Sequence, residues 1–358
     1  MIRACFASLS HFVHAKFIWL LIASYIVAGV VPGLGLAVRA VSWGTISLPM
    51  GMLGFLLFNA GLGIQLSELK NLRHNPGSLV FGLLGNLLIP ICFIWMVMHT
   101  MRLWHNPDEV QNLLVGLALV ASMPIAGSST AWSQNANGNL ALSLGLVLLS
   151  TFLSPVTTPL SLRAVGLMTS GGYSEDLHVL AGWGTGWFLM ISVILPSVLG
   201  ILCHRMIGTA RIAAARPSLK LANSAILLLL NYSNASVSLP QAIATPDVDF
   251  LAVTLTITLL LCVVAFLTGW LIAYLRNADS ADRISLMFGL GMNNNGTGLV
   301  LAAMTLADHP GVLLPIIFYN LVQHLVAGCV DFVMARRARQ DIPPSHNAQE
   351  SALQESAP

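Results

Sequence analysis

Two clusters of small polar side chains interrupt long apolar stretches of this chain, and their oxygens and amides could bind an ion or a polar solute. The first cluster runs from Pro124 to Asn139 and the second from Gly289 to Gly298. Serine, threonine and asparagine oxygens are hard ligands that suit a small cation such as sodium. Amide groups and backbone N–H groups suit the anionic group of a substrate. The sequence therefore predicts a polar binding site where these clusters meet.

The stretches around the clusters have the composition of a membrane protein. Hydrophobic residues make up 56% of the chain and charged residues only 8%, whereas soluble domains carry roughly 25% charged residues. A membrane span needs about 20 apolar residues. We therefore predict an all-α integral membrane protein with ten transmembrane helices. They lie at residues 17–38, 46–65, 77–100, 111–137, 139–161, 180–205, 221–243, 249–275, 283–306 and 310–335.

The two polar clusters fall in the fourth and ninth predicted spans, which are the fourth spans of the two halves. Unpaired backbone groups cannot face lipid, so a broken membrane helix must be surrounded by protein or water. A matched pair of broken helices is typical of secondary transporters with inverted repeats, which bind substrate near the middle of the membrane. We predict two inverted five-helix repeats, residues 17–161 and 162–335, whose broken helices cross.

The basic residues predict the orientation of the chain. Of the sixteen lysines and arginines, thirteen lie on the side of the two termini. Only Arg39, Arg102 and Arg163 lie on the other side. Because cytoplasmic loops are rich in Lys and Arg, both termini are predicted to be cytoplasmic. The predicted location of the protein is the cell (inner) membrane. Residues 1–16 form the predicted cytoplasmic N-terminus, and the polar segment 336–358 forms a predicted disordered tail.

Several polar residues in the spans are candidates for binding substrate. Glycine and serine also pack between membrane helices, so a single one indicates little. Three consecutive asparagines are different, because each carries donors and an acceptor that need partners. His324 is titratable and lies deep in a span, so it could carry a coupling proton or be a neutral buried histidine. The candidates are Asn294, Asn295, Gln134, Asn135, Asn231, Asn234, Gln323 and His324.

Four motifs occur in the order and spacing of a known family. They are Leu56–Ile64, Gly138–Ser143 with Ser150–Pro155, Gly291–Gly296 and the pair Gln323-His324. Together they make residues 17–335 resemble the bile acid:sodium symporter family. The resemblance implies a core of spans three to five and eight to ten. It also implies a panel of spans one, two, six and seven.

The resemblance also implies sodium sites and shows one departure. Its first site falls on Ser129, Thr130 and Ser143, and its second on Asn86 and Asn293. Ser129, Thr130 and Asn293 form the implied sodium-binding centre. The family's glutamate before the Gly-Met pair is Gly289 here, its asparagine beside Ser129 is Thr130, and a threonine of its fifth helix is Val147. A bound sodium ion would therefore depend on neutral oxygens and on the charge of the substrate.

The predicted function is a secondary active transporter, not an enzyme, that moves a small organic anion by alternating access with sodium as the coupled ion. Alternatives are a sodium-independent or proton-linked carrier of the same fold, or a channel or membrane sensor. A membrane enzyme would need a nucleophile and base or a metal cluster, but the sequence shows neither a His/Asp cluster nor a Cys/His spacing. An arsenite permease would need a cysteine in the fourth span, and no cysteine lies between Cys92 and Cys203. The substrate could be a steroid, a keto acid or a short carboxylate. The predicted partners are the anion and the lipid bilayer, with no nucleic acid, and the protein is a monomer or a homodimer.

Overall fold

The computed structural model describes residue 13 and residues 16–44, 46–64, 76–244, 246–306 and 308–340. Within these residues the chain forms sixteen α-helices and one short hairpin of β1 (Ser42–Trp43) and β2 (Ile46–Ser47). The helices are α1 (Phe17–Val30), α2 (Gly33–Ala40), α3 (Leu48–Leu62), α4 (Pro76–Thr100), α5 (Pro107–Ser122), α6 (Ser128–Asn135), α7 (Leu140–Gly166), α8 (Gly172–Leu180), α9 (Trp183–Leu189), α10 (Leu195–Ile207), α11 (Thr209–Ala235), α12 (Leu239–Ala244), α13 (Val248–Leu275), α14 (Ser280–Gly291), α15 (Asn295–Thr305) and α16 (Leu313–Gln340). Short 3-10 turns cover Met101–Leu103 and Pro310–Val312, and a π-helical turn covers Met190–Ile194.

The described residues contain six helical segments that are long and apolar enough to cross a membrane. They are Pro76–Leu103, Leu140–Gly166, Gly184–Ile207, Thr209–Ala235, Val248–Leu275 and Pro310–Met334. A seventh is the pair α1 and α2, if the two count as one span. Three other predicted spans correspond to the short helix α3 and to two broken helices. The fold is therefore an all-α, multi-pass membrane architecture, and the count of ten spans stays a prediction.

Two predicted spans differ from the observed helices. The span predicted at 17–38 is bent by 93° between α1 and α2, where Pro32 lacks the N–H that would continue the hydrogen-bond ladder. The span predicted at 221–243 begins earlier, at Thr209, and its helix ends at Ala235. Helix α16 continues through Gln340, past the predicted start of the tail at residue 336. Residues 341–358 and most of 1–16 lie outside the described residues.

Polar caps fix where several helices begin. The Asn139 side chain accepts a hydrogen bond from Leu142 N (3.2 Å) at the start of α7. Asp247 and Asp279 do the same at the starts of α13 and α14. Each cap satisfies one of the four backbone N–H groups that a helix start leaves unpaired. These short polar residues between apolar runs therefore set the ends of the membrane helices.

The helices pack in two groups. In the panel group, α3 packs on α10, and α11 packs on α1, α2 and α3. In the core group, α13 packs on α4, α14 and α16, while α7 packs on α4, α5, α6 and α14. The groups meet where α15 and α16 face α1, α3 and α11, partly through an apolar cluster of Met52, Leu53, Leu230 and Val300. We refer to these two sets of helices as the panel group and the core group.

Candidate functional site

Both polar clusters contain a helix break, but each break is shorter than predicted. Helix α5 ends at Ser122, because Pro124 has no N–H and disfavours helical geometry in the residue before it. The chain resumes helical geometry in α6, so half of the polar stretch predicted as a break is helical. In the second cluster only residues 292–294 lie between α14 and α15. Met292 is extended there, and the Asn294 side chain caps α15.

The two breaks cross and are hydrogen-bonded to each other. Ile125 and Asn293 form an isolated antiparallel bridge. Ala126 N–H donates to the Met292 carbonyl (2.9 Å), and Asn294 N–H donates to the Pro124 carbonyl (2.8 Å). The pattern is reciprocal, since each break donates one bond to the residue before the bridge position of the other. The breaks therefore satisfy part of their backbone polarity without water, as a membrane interior requires.

Side chains from two other core helices, α7 and α16, complete this pairing. Ile125 N–H donates to Ser150 Oγ of α7 (3.1 Å). Asn293 N–H donates to Gln323 Oε1 of α16 (3.0 Å). The Asn293 Nδ2 group donates in turn to the Val120 carbonyl at the end of α5 (3.0 Å). The crossing is thus a connected unit of backbone and side chains.

A cavity of about 540 Å³ lies beside the crossing, between the panel and core groups. Its size is within the range of small-molecule sites. The described residues that line it include no Asp, Glu, Lys or Arg, and His324 is the one titratable residue among them. From the core it is lined by Ala126, Gly127, Ser128, Ala131, Trp132, Asn135, Asn293, Asn294, Asn295, Gly296, Asn320, Gln323 and His324, and from the panel by Phe17, Ile18, Leu53, Leu56, Leu57, Ala60, Asn223, Ser224 and Leu227.

The cavity extends from the breaks toward the side of the molecule where α1 begins. Its lining from α1 is the first turn, Phe17 and Ile18, and its lining from α11 is Asn223, Ser224 and Leu227. Beyond the cavity the two groups touch. There Asn320 of α16 donates to the Tyr25 hydroxyl (2.8 Å) and to Asn231 Oδ1 (3.2 Å). The described lining thus lies on the side of these bonds where α1 begins, and we call the opposite side the covered side.

Six of the predicted site residues line this cavity. They are Asn135, Asn293, Asn294, Asn295, Gln323 and His324, of which Asn293 was predicted as a cation ligand and the others as substrate-binding residues. Gln134 of α6 is exposed and lies outside the lining. Asn231 and Asn234 also lie outside it. Their Oδ1 atoms accept hydrogen bonds from Asn320 and from Arg39 Nη1 (2.8 Å), respectively.

The implied cation ligands form one close group and two separate positions. Ser143 Oγ donates to Thr130 Oγ1 (3.3 Å), and the buried Ser129 is adjacent in sequence. Among the described residues, Ser129 Oγ, Asn86 Oδ1 and Asn293 Oδ1 are buried atoms with no hydrogen-bond partner. Buried polar atoms are nearly always paired, so these oxygens fit an additional ligand such as a cation or water.

Asn86 and Asn293 line different cavities. Asn86 lines a cavity of about 130 Å³ together with Ser122, Pro124, Ser150 and Ser161. Within the part of the chain that the structure describes, neither its Oδ1 atom nor Ser161 Oγ has a hydrogen-bond partner. Asn293 lines the larger cavity instead. The two asparagines that the resemblance assigns to one sodium site are thus divided between two cavities.

The position of the family glutamate is filled from the neighbouring helix. A Cβ atom on Gly289 would lie 2.9 Å from Leu146 Cδ1, so the Leu146 side chain occupies the space of a longer residue. The buried carboxylates of Glu109 and Asp282 lie elsewhere, in the first turns of α5 and α14. Asn139 Nδ2 donates to Asp282 Oδ1 (2.7 Å). The described part of the cavity lining therefore offers a cation dipoles rather than a countercharge.

Sequence reasoning missed a polar chain that links the crossing to the panel group. Gln323 Nε2 donates to Asn320 Oδ1 (3.3 Å), and Asn320 continues the chain to Tyr25 and Asn231. Asn320 precedes Gln323 by three residues, so both lie on one helix face, which was the available signal. Asn223 was missed because it is a single amide at the start of an apolar run.

Comparison with known proteins places the chain in a family. The model of the SBF-like CPA transporter family (DUF4137) matches residues 15–338. The chain belongs to this family. The match confirms the resemblance to bile acid:sodium symporters drawn from the motifs. The protein is therefore a multi-pass membrane transporter, and the transporters that it resembles favour the prediction that it is not an enzyme.

The chain is similar to several individual proteins. It is 25% identical over 282 residues to the uncharacterized protein YbaS of Bacillus subtilis (strain 168), covering 79% of this chain and 87% of that protein. It is 26% identical over 253 residues to the uncharacterized sodium-dependent transporter YocS of the same organism, covering 70% and 72%. It is 24% identical over 252 residues to the probable sodium/metabolite cotransporter BASS2, chloroplastic, of Oryza sativa subsp. japonica, covering 70% and 55%.

Proposed function

We propose that the protein is a secondary active transporter that carries a small organic anion by alternating access, with sodium as the coupled ion. The observation that carries the proposal is the hydrogen-bonded crossing of two helix breaks beside a cavity between two helix groups. Broken helices that meet at a binding site are the arrangement of such transporters. A relative named as sodium-dependent and another named as a sodium/metabolite cotransporter support the choice of ion.

The proposed binding site for the anion is the pair of helix starts that face the cavity. Helix α6 begins after Gly127 without a side-chain cap, and α15 begins at Asn295. Both starts line the cavity. A helix start carries unpaired N–H groups and roughly half a positive charge. Two of them at one cavity favour a carboxylate or a similar group.

Asn295 supports this assignment independently. Its side chain is only 1% exposed, and neither its Nδ2 nor its Oδ1 has a hydrogen-bond partner among the described residues. Leaving such a group unpaired costs free energy, which a bound ligand would recover. The leucines on the panel side, such as Leu53 and Leu57, would contact the apolar part of the ligand.

The proposed sodium ion binds at Ser129, Thr130 and Ser143, with Asn293 facing the cavity next to the anion. Each of these groups supplies a neutral oxygen. Because no carboxylate is present among them, the negative charge of the substrate contributes to holding the ion. Sodium and the anion therefore bind cooperatively in this proposal.

Ten spans in two inverted repeats with cytoplasmic termini complete the proposal. The reciprocal bonds between the breaks, Ala126 to Met292 and Asn294 to Pro124, support the repeats, because a two-fold axis would exchange them. The cavity then opens to the cytoplasm, and transport requires a second state that opens on the opposite side.

Matched ligands test the charge requirement. We expect a carboxylate of suitable size to raise the melting temperature of the purified transporter, with a larger rise in sodium than in potassium. Pyruvate, phenylacetate and cholate are the probes, and the carboxamide of each is its uncharged control. A stabilisation that is the same for acid and amide would refute the anion assignment. Uptake of the stabilising acid into proteoliposomes that is insensitive to replacing sodium by potassium would refute the coupling.

Two variants test whether the stabilising acid binds at the start of α15. Asn295→Leu removes the unpartnered amide, and we expect it to lose the stabilisation by the acid. Thr268→Val is the matched control, because the Thr268 hydroxyl donates to the Val264 carbonyl within α13 (2.8 Å) and Thr268 is not among the described residues that line the cavity. Equal effects of the two substitutions would argue against binding at α15.

A further inference from the structure

We propose that Arg39 is the gate on the covered side of the cavity and the first contact for the incoming anion. This inference rests on the proposed function and adds a residue that determines access and specificity. Sequence reasoning placed Arg39 only as one of three basic residues on the side opposite the termini.

Arg39 bridges the panel and core groups. Its Nη1 donates to Asn234 Oδ1 of α11 (2.8 Å), and its Nη2 donates to the Ala303 carbonyl of α15 (2.9 Å). Arg39 and Asn234 belong to the panel group, whereas Ala303 belongs to the core group. The guanidinium therefore closes the boundary that must open if the cavity is to face this side.

The short helix α2 holds Arg39 in this position. A Cβ atom on Gly35 would lie 2.2 Å from Ser236 Oγ and 3.2 Å from the Tyr232 ring, so α2 lies directly on α11. Arg39 follows Gly35 by four residues and so lies one turn further along the same face. The 93° bend after α1 is what lays α2 across the end of α11.

The acceptor on the core side is a helix end. Ala303 is in the last turn of α15, where backbone carbonyls have no partner within the helix. Such an end carries partial negative charge and attracts a cation. Arg39 therefore serves as a cap that comes from another helix group, and it is lost when the groups separate.

Opening changes only one of the two bonds. The bond to Asn234 lies within the panel group and can persist, while the bond to Ala303 spans the two groups and must break. The freed N–H groups of the guanidinium then face the open cleft, and arginine binds carboxylates with two parallel bonds. An incoming carboxylate replaces the lost carbonyl, so an anion stabilises the open state and a neutral analogue does not.

Acidic residues on the covered side add a reason for this role. Asp247 and Asp308 line a cavity of about 350 Å³ there, together with Ser238 and His309. Carboxylates on the side of entry repel an anionic substrate. A fixed arginine on the boundary offsets that repulsion where the substrate enters.

Thiol accessibility tests the gate without any knowledge of the substrate. In a background without the native cysteines, Ser238→Cys reports on the covered side, since Ser238 is only 3% exposed. Asn223→Cys reports on the open cavity. We expect Arg39→Ala to raise the rate at which a membrane-impermeant methanethiosulfonate modifies the thiol of the Ser238→Cys reporter about tenfold, equivalent to about 1.4 kcal/mol. We expect the same substitution to lower the rate for the Asn223→Cys reporter.

A conservative variant separates charge from geometry. Arg39→Lys keeps the positive charge but not the two-pronged guanidinium, so we expect it to give a smaller shift than Arg39→Ala. Unchanged rates in Arg39→Ala, or a rise at both reporters from general loosening, would overturn the gate.

Binding provides the second readout, with phenylacetate and phenylacetamide applied from the side of Ser238. We expect phenylacetate but not the amide to raise the rate of modification of the Ser238→Cys reporter while Arg39 is present, because the anion stabilises the open state, and neither compound to do so in Arg39→Ala. Equal effects of the two compounds on this rate would overturn the anion contact. If no carboxylate of the matched set stabilises the unmodified protein, it is the proposed function that fails.

Discussion

Replacing Ser150 by alanine should destabilise the crossing of the two breaks. Ser150 Oγ accepts the hydrogen bond of Ile125 N–H (3.1 Å), and Ile125 is only 1% exposed. A buried donor left without its partner costs about 1–3 kcal/mol. The neighbouring cavity of about 130 Å³, which Ser150 also lines, has room for a water of about 30 Å³. Because that water could pair with the donor, we expect a loss in the lower half of the range, about 1–2 kcal/mol.

A neighbouring serine provides the control for this measurement. Ser154 lies one turn further along α7, is fully buried, and donates to the Thr151 carbonyl (2.7 Å) within its own helix. We expect Ser154→Ala to be nearly neutral, because the Thr151 carbonyl keeps its place in the helical ladder. Ser150→Thr keeps the acceptor and should retain most of the stability.

Unfolding titrations with sodium dodecyl sulfate in mixed micelles measure these differences in the free energy of unfolding. The reasoning is refuted if Ser150→Ala costs no more than Ser154→Ala, because the hydroxyl would then not support the break.

Three further predictions concern the ion, the packing and the proton. Gly289→Glu alone should destabilise the protein, because the new side chain clashes with Leu146. Gly289→Glu combined with Leu146→Ala should instead lower the sodium concentration that gives half-maximal stabilisation about tenfold. If that concentration is unchanged, sodium binding does not depend on a carboxylate at this position. Gly200→Ala should lower the free energy of unfolding by about 1–3 kcal/mol or more, because its Cβ would lie 2.1 Å from a backbone carbonyl of α3. Gly184→Ala is the control: its Cβ would meet nothing within 4 Å, so it should leave the free energy of unfolding unchanged. His324→Gln should abolish any pH dependence of uptake between pH 5 and 8 if this cavity residue carries a proton; a profile that survives the substitution would exclude that role.

The long apolar stretches and the polar residues between them were sufficient to predict the main helices. The span predicted at 249–275 corresponds to α13 within one residue, since Asp247 caps it and polar residues follow Leu275. The polar clusters 124–139 and 289–298 predicted where the two breaks lie; in the structure the first break contains Pro124, and the Asn294 side chain caps the helix that follows the second. The bend after α1 was missed because a proline in an apolar run predicts a kink but not its angle.

Polar composition alone was a poor guide to the extent of the breaks. Residues 128–135 read as a loop because serine, threonine and asparagine favour caps and turns. They form α6 because the surrounding helices decide their conformation, as tertiary context often does. Contacts between distant residues could not be predicted at all. Arg39 and Ala303 are separated by 264 positions, and nothing in either local sequence indicates the bond.

The apolar cluster where the two helix groups meet determines how freely they can move. Met52, Leu53 and Leu230 belong to the panel group and Val300 to the core group. Attraction between such side chains has no preferred direction and changes little when one surface slides by a fraction of a residue. The crossing resists distortion because its hydrogen bonds are directional, whereas this apolar cluster imposes no directional contacts on the boundary. Movement of one helix group along the other would therefore exchange few directional contacts, chiefly the hydrogen bonds that Asn320 and Arg39 make across the boundary.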